Sequence, residues 1–280
     1  MPSTCLGILH PGEMGISVAA SALRGGHDAC WASEGRSDAT RARAEKHGLR
    51  DLGTVDRLCE ECAILVSICP PHAAEAVARD VAAAGFQGLY LDANAISPER
   101  ACRLGRTITE AGAGFVDGGI IGGPAWEPGR TWLYLSGPRA AELPAYFSAG
   151  PLETGVLGER IGAASALKMC YAAYTKGTTA LLCAVLAASE QLEVRGALEQ
   201  QWARDDPGFP EQAARRVRGV TAKAWRFEGE MREISATLAE AGLPEGFHKA
   251  AAEIYHRMAN FKDATDIPSL QEVIESLIRK

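Results

Sequence analysis

The chain has 280 residues, 47% of them hydrophobic and 23% charged, which is long enough to bury two ordinary cores and too balanced for a disordered or membrane-embedded protein. A formal charge of −6 excludes a nucleic-acid surface, and the basic run Arg215, Arg216, Arg218 is too short to offset it. No N-terminal stretch combines a basic region, a long apolar run and a small-residue cleavage site, so no export signal is expected and the cytoplasm is the expected compartment.

Residues 4–10 (TCLGILH) read as a short buried strand, 14–24 as a helix stopped by Gly25 and Gly26, and 27–33 (HDACWAS) as a second strand. Strand, glycine turn, helix and strand within about thirty residues is the unit whose turn binds a pyrophosphate. Further strands at 63–69, 88–94, 114–120 and 131–137 alternate with helices. Residues 1–160 are therefore expected to form an α/β domain with an open, mainly parallel sheet of Rossmann type. From Ile161 to about Leu192 the chain has no Pro and only two glycines, and Ala, Leu and Cys fall on every side, which predicts a long helix buried all round. Helices are expected at 210–219, 220–241, 244–260 and 268–279, with stops at 242–244 and 267–268. Residues 161–280 thus read as an all-α domain built on a long interdomain helix, serving substrate binding and dimerisation.

The turn itself reads His10, Pro11, Gly12, Glu13, Met14, Gly15. In a G-x-G-x-x-G turn the second Gly lets backbone N–H groups approach the pyrophosphate and the third lets helix and strand pack closely. Both survive here as Gly12 and Gly15, and His10 replaces the first. That replacement is tolerable if His10 stays at negative φ, which Pro11 favours. The end of the second strand decides between the two nicotinamide cofactors. Glu34 favours NAD, whereas Ser33, Arg36 and Ser37 form a cup suited to a phosphate dianion, so NADP (NADPH) is preferred over NAD.

With these motifs in place the chain resembles the β-hydroxyacid dehydrogenases and their relatives, 6-phosphogluconate dehydrogenase and the imine reductases. PGEMG (11–15) resembles the glycine turn with its Met. VSICPPHAA (66–74), with Cys69 and Pro70, resembles the strand ending in a Pro pair beside the cofactor. LDANAISPERA (91–101) resembles the strand and turn near the nicotinamide, and FVDGGIIGGPAWEPG (115–129) the glycine-rich substrate loop. The helical half, with ASALKMCYAAYTKGTTALL (164–182), looks most like a less studied C-terminal variant joined to 6-phosphogluconate-dehydrogenase-like N-terminal domains.

Lys168 is the candidate catalytic residue. An ammonium amid an apolar helix tends to a lowered pKa and suits proton transfer, and the resemblance implies that Lys168 is the general acid–base. Tyr171 joins it as a catalytic candidate, and Ser165, Tyr171 and Thr175 share its helical face. The alternative is a stem that snorkels to water. Asn94 stands where the relatives place a Ser or Thr near the nicotinamide amide; it either bonds the cofactor or caps the turn.

Three positions depart from the family pattern. Ile121 replaces the Ser before Gly122 and Gly123 in the substrate loop, Ala172 replaces an Asn, and a Lys–Asp pair aligns with Gly229 and Glu230. An apolar wall at Ile121 favours a bulkier or less acidic carbonyl, or an imine. Trp225, Glu230 and Met231 are candidates for the floor of the substrate cavity, the alternative being a core stripe. His248 and His256 are read as structural.

The eight cysteines mostly fall in apolar segments and behave as small hydrophobes, so disulfides are not expected. Cys59 and Cys62 form a C-x-x-C, but no second pair or His cluster stands at ligand spacing, and no metal site is assigned. The expected activity is NADP-dependent oxidoreduction of a small-molecule carbonyl or hydroxyl carbon, at the start of the long helix, in a homodimer without nucleic-acid or membrane partners. An imine reductase on the same fold and a non-catalytic NADP sensor are the alternatives.

Overall fold

The computed structural model describes residues 5–262 and 264–279, so Thr4, with which the first predicted strand begins, lies outside the described residues. Eight strands form one sheet in the order β3-β2-β1-β4-β5-β6-β7-β8. They are β1 (Cys5–Ile8), β2 (Asp28–Trp31), β3 (Arg50–Asp51), β4 (Ile64–Ser67), β5 (Leu89–Asp92), β6 (Gly114–Ile121), β7 (Thr131–Ser136) and β8 (Leu152–Val156). Neighbours run parallel except β6 and β7, which pair antiparallel with Ile121 opposite Trp132. The apolar runs produce this arrangement: β4 and β5 are buried along their whole length, as strands covered by helices on both faces must be.

The crossovers are α1 (Glu13–Arg24), α2 (Asp38–Lys46), α3 (Val55–Glu61), α4 (Ala74–Ala83) and α5 (Pro98–Glu110), with the short α6 (Pro144–Phe147) between β7 and β8. Side-chain caps from Ser37, Thr54 and Ser97 start α2, α3 and α5 by accepting from backbone N–H groups of the first turn. Gly26 stops α1 in the left-handed region at φ +77°. The strand order reverses between β1 and β4, and the loops leaving their carboxyl ends flank the crevice where open α/β sheets bind ligands.

The chain divides into two compact units, Met1–Met169 and Cys170–Lys280, and the division falls inside α7 (Ala163–Gln191). The second unit continues with α8 (Arg195–Asp205), α9 (Phe209–Gly219), α10 (Ala224–Glu240), α11 (Gly246–Arg257) and α12 (Leu270–Ile278). Val217, Met231, Ile234, Tyr255 and Ile274 are buried in it. Helix α8 has no counterpart in the sequence reading; its residues show no apolar stripe, and none of them is fully buried.

Two other expectations are corrected. Helix α7 is not buried all round, because within the single chain Tyr171, Tyr174 and Leu181 are 51%, 74% and 48% exposed along one face. A disulfide is present, joining Cys5 to Cys30. Cys5 pairs with Asp28 across β1 and β2, two residues before Cys30, so both side chains leave the same face of the sheet with their Cα atoms 6.6 Å apart.

Candidate active site

The turn after β1 shows why two glycines suffice. A Cβ on Gly15 would lie 2.3 Å from the carbonyl oxygen of His10, so only glycine lets α1 approach the strand end this closely. Gly12 caps α1 at φ −69°, a conformation open to any residue, and a Cβ there would meet no atom within 4 Å. Its missing side chain leaves space rather than relieving strain. His10 occupies the first position at no backbone cost, since Glu193 is the one described non-glycine residue at positive φ. Burial, and then the neighbouring Arg36 guanidinium, lower the His10 pKa to about 4, so the ring is neutral at physiological pH.

Two arginines, Arg36 and Arg43, reach this turn, and a third, Arg41, holds the chain after β2. Arg36 Nη2 donates to the Leu9 carbonyl at 3.1 Å, Arg41 Nη2 to the Ser33 carbonyl at 2.7 Å, and Arg43 Nη1 to the Pro11 carbonyl at 3.4 Å. Among the described residues, Nδ1 of His10 and Nε of Arg36 are buried without a hydrogen-bond partner. The open space at Gly12, at the N-terminus of α1, fits the phosphates of a dinucleotide. Arg41 and Arg43 escaped the sequence reading, although an Arg-x-Arg pair opening the helix after the second strand was a visible signal. Ser33 is buried, Ser37 is exposed at the cap of α2, and Glu13 is exposed at the first position of α1, while Met14 packs against the core.

The ends of β4 and β5 are tied together by Asn94. Its Oδ1 accepts from the Cys69 backbone N–H at 2.6 Å, and its Nδ2 donates to Ser67 Oγ at 3.0 Å and Asp92 Oδ2 at 2.8 Å. Asn94 thus holds the turn, with both its amide protons on protein partners. Arg100 adds a second brace by donating to the Pro71 carbonyl at 2.7 Å while gripping Glu75 bidentately. Complete burial, with Asp117 adjacent on β6, raises the Asp92 pKa to about 7. Burial pushes the Cys69 thiol up to about 12, so Cys69 is no nucleophile, and Pro70 is exposed beside it.

Lys168 is the sixth residue of α7, in its second turn rather than mid-helix, and is half-buried. The glycines of β6 bring it there. A Cβ on Gly119 would lie 2.5 Å from the Ala164 carbonyl and 3.1 Å from Lys168 Cβ, so the helix start rests directly on the strand. Asp117 anchors that start. Its Oδ2 accepts from Ser136 Oγ at 2.9 Å and the Ser165 N–H at 3.0 Å, and its Oδ1 from Ser165 Oγ at 2.6 Å. A buried carboxylate at a helix N-terminus is favoured by the backbone dipoles as well as by these bonds. Ser165, which shares the helical face of Lys168, is thus spent on Asp117.

The loop after β6 is latched rather than free. Gly122 sits at φ +123° and a Cβ there would strike the Arg130 carbonyl at 2.4 Å, while Gly123 accepts a bond from Thr131 Oγ1 at 2.7 Å. Ser17 of α1 accepts from the Ala125 N–H at 2.9 Å, and Trp126 stacks on His47 with centroids 5.1 Å apart. Ile121 is half-buried at the strand end.

In the second unit, Glu230 forms an ion pair with Lys176, whose ammonium also lies 4.2 Å over the Phe227 ring. The carboxylate that had no predicted partner therefore finds one on α7. Met231 is fully buried and packs as core, Trp225 is exposed with Lys262 over its ring at 4.5 Å, and Thr175 donates to the Tyr171 carbonyl at 3.0 Å. His248 bonds the Ala173 carbonyl and His256 bonds Glu228, both structural contacts.

Residues 6–141 match the NAD binding domain of 6-phosphogluconate dehydrogenase, and residues 190–258 match a domain of unknown function, DUF1932. An uncharacterized 28.5 kDa protein from the 7S RNA 5′ region of Methanothermus fervidus is 31% identical over 160 residues, covering 57% of this chain and 61% of that protein. The chain thus matches about three fifths of the length of this curated relative. A conserved protein of unknown function, described as structurally similar to 3-hydroxyacid dehydrogenases, is 28% identical over 91% of this chain and 97% of its own, with a TM-score of 0.70. Mycobacterium tuberculosis 3-hydroxyisobutyrate dehydrogenase with L-serine shares the fold at 17% identity, covering 99% of this chain and 100% of that one, with a TM-score of 0.71. Aspergillus terreus reductive aminase with NADPH and ethyl levulinate shares it at 19% identity, 98% and 99% coverage and a TM-score of 0.57.

Proposed function

We propose that this chain, whose residues 6–141 match the NAD binding domain of 6-phosphogluconate dehydrogenase, is an NADP-dependent oxidoreductase acting on a carbonyl or hydroxyl carbon of a small molecule. Residues 1–160 hold the dinucleotide, and residues 161–280 supply substrate-binding and dimerisation surface. The observation that supports the reading is the open space at Gly12 at the start of α1, with Arg36, Arg41 and the cap of α2 on the segment that follows β2.

When bound, NADPH supplies the hydride. The chain's own part is to seat phosphates on the Gly12 backbone and His10, to meet a 2′-phosphate with Arg36, Arg41, Ser33 and Ser37, and to move a proton. Lys168 donates that proton to a carbonyl oxygen as charge gathers on it, or takes it from a hydroxyl in the reverse direction. Tyr171, three residues on along α7, is the second group assigned to the step. The apolar Ile121 favours a substrate without a small carboxylate at that wall, which keeps imine reduction as the second reading.

The cofactor assignment predicts that Arg36→Ala and Arg41→Ala each raise the KM for NADPH about 10–100-fold, the worth of a charge-assisted hydrogen bond. The KM for NADH should stay unchanged. Equal effects on both cofactors in steady-state assays would move the site to NAD. Turnover itself is tested by following NADPH consumption with aldehydes, 2- and 3-oxo acids and cyclic imines; activity confined to the imines selects the second reading.

The exposed Tyr171, Tyr174 and Leu181 stripe supports a homodimer. Light scattering at micromolar concentration is expected to give twice the chain mass, and a monomer there removes the proposal. Among the described residues no helix is long and apolar enough to cross a membrane, and a cytoplasmic location is part of the same reading.

A further inference from the structure

Three sulfur side chains, from β1, β2 and the end of α3, meet on the α3 side of the sheet. Cys5 opens β1, Cys30 lies in β2, and Cys62 follows α3 directly. The Cys5 and Cys30 sulfurs are bonded, Cys62 Sγ lies 3.3 Å from Cys5 Sγ, and all three sulfurs fall within 4.8 Å of one another. Gly7 makes the room: a Cβ there would crowd Cys62 Sγ at 3.2 Å and Leu58 Cδ2 at 3.1 Å. Arg50 Nη2 stands 3.5 Å from Cys30 Sγ. The C-x-x-C partner Cys59 is not one of the three, so the spacing that is visible in the sequence names one ligand and misses two.

Sulfurs bound to one tetrahedral zinc are about 3.8 Å apart, the edge set by metal–sulfur bonds of about 2.3 Å. The cluster needs only small side-chain adjustments to reach that spacing. We propose that the reduced chain binds a soft cation of the zinc class through Cys5, Cys30 and Cys62, and that the Cys5–Cys30 disulfide is the closed form of this site. Opening it takes a dithiol reductant, which is oxidised to its own disulfide while two electrons and two protons pass to the Cys5 and Cys30 sulfurs. Zn2+ then replaces three thiol protons, forming three metal–sulfur bonds and releasing three H+, and water completes the fourth position on the side of the half-buried Cys5. The resulting group carries a net charge of −1, and the Arg50 guanidinium, itself paired with Glu61, stands beside Cys30.

The test uses the full chain, reduced with a phosphine and kept anaerobic, with Cd2+ alone as the spectroscopic probe. The expected result is a thiolate-to-metal charge-transfer band that saturates near one Cd2+ per chain, is displaced by Zn2+, and is absent from the oxidised chain. Because Cys62→Ala removes a buried side chain and can impair folding, the deciding measurement is alkylation of the parent chain read by mass spectrometry. Bound metal should protect Cys5, Cys30 and Cys62 and leave the exposed Cys170 reacting at its metal-free rate. No band and no protection in the reduced chain, equal binding by the oxidised chain, or protection confined to Cys59 and Cys62 would each overturn the proposal.

Discussion

Lys168→Met is expected to lower the rate of NADPH-dependent reduction by roughly 10²–10⁴-fold, the usual worth of a positioned general acid, while NADPH affinity, measured by fluorescence, should change little. Methionine retains the apolar stem and the Cβ that packs on Gly119 and loses only the ammonium. The start of α7 is held by Asp117, Ser136 and Ser165, so the fold should survive. Thermal unfolding of the variant within a few degrees of the parent checks that point. Lys168→Arg is the sharper control, because a guanidinium keeps the charge and cannot give up its proton at ordinary pH. It should be nearly as slow as Met. Equal rates in parent and Met variant reject the proton donor. A parent that binds NADPH and turns over none of the carbonyl or imine panel identifies a sensor instead.

The sheet and the long helix were legible because their signals are local. The apolar runs at β1, β2, β4 and β5, the glycines of the turn, and a Pro-free stretch from 161 to 192 each fix an element without reference to the rest of the chain. What the sequence concealed depends on strand register. Asn94 looks equally suited to cofactor or turn until β4 and β5 pair in register and place Ser67, Cys69 and Asp92 around it. Cys5 and Cys30 are 25 residues apart, and nothing short of the β1–β2 pairing reveals that their sulfurs meet. Asp117 was visible only as part of a glycine-rich motif. Its task as the anchor of α7 appears when the helix start is laid on Gly119. Glu230 shows the same limit in the second unit: its cation, Lys176, comes 54 residues earlier in the chain.

Gly12→Ala and Gly15→Ala, alike in the motif, should fail in opposite ways. At Gly15 the new methyl must displace the His10 carbonyl, 2.3 Å from where it would sit, and a backbone group in a packed turn yields poorly. We expect a loss of about 1–3 kcal/mol of stability, as for other overpacked sites, seen as a lowered urea midpoint. At Gly12 the backbone is already at φ −69° and nothing lies within 4 Å of the added carbon, so stability should move by no more than about 0.5 kcal/mol. That carbon instead enters the open space at the start of α1, where the phosphates would approach the backbone N–H groups. NADPH affinity in Gly12→Ala should therefore fall on the order of tenfold or more. A Gly12→Ala chain that binds NADPH as tightly as the parent would show that the turn is a structural bend alone. His10 would then stand in the first glycine position because no phosphate ever needed it.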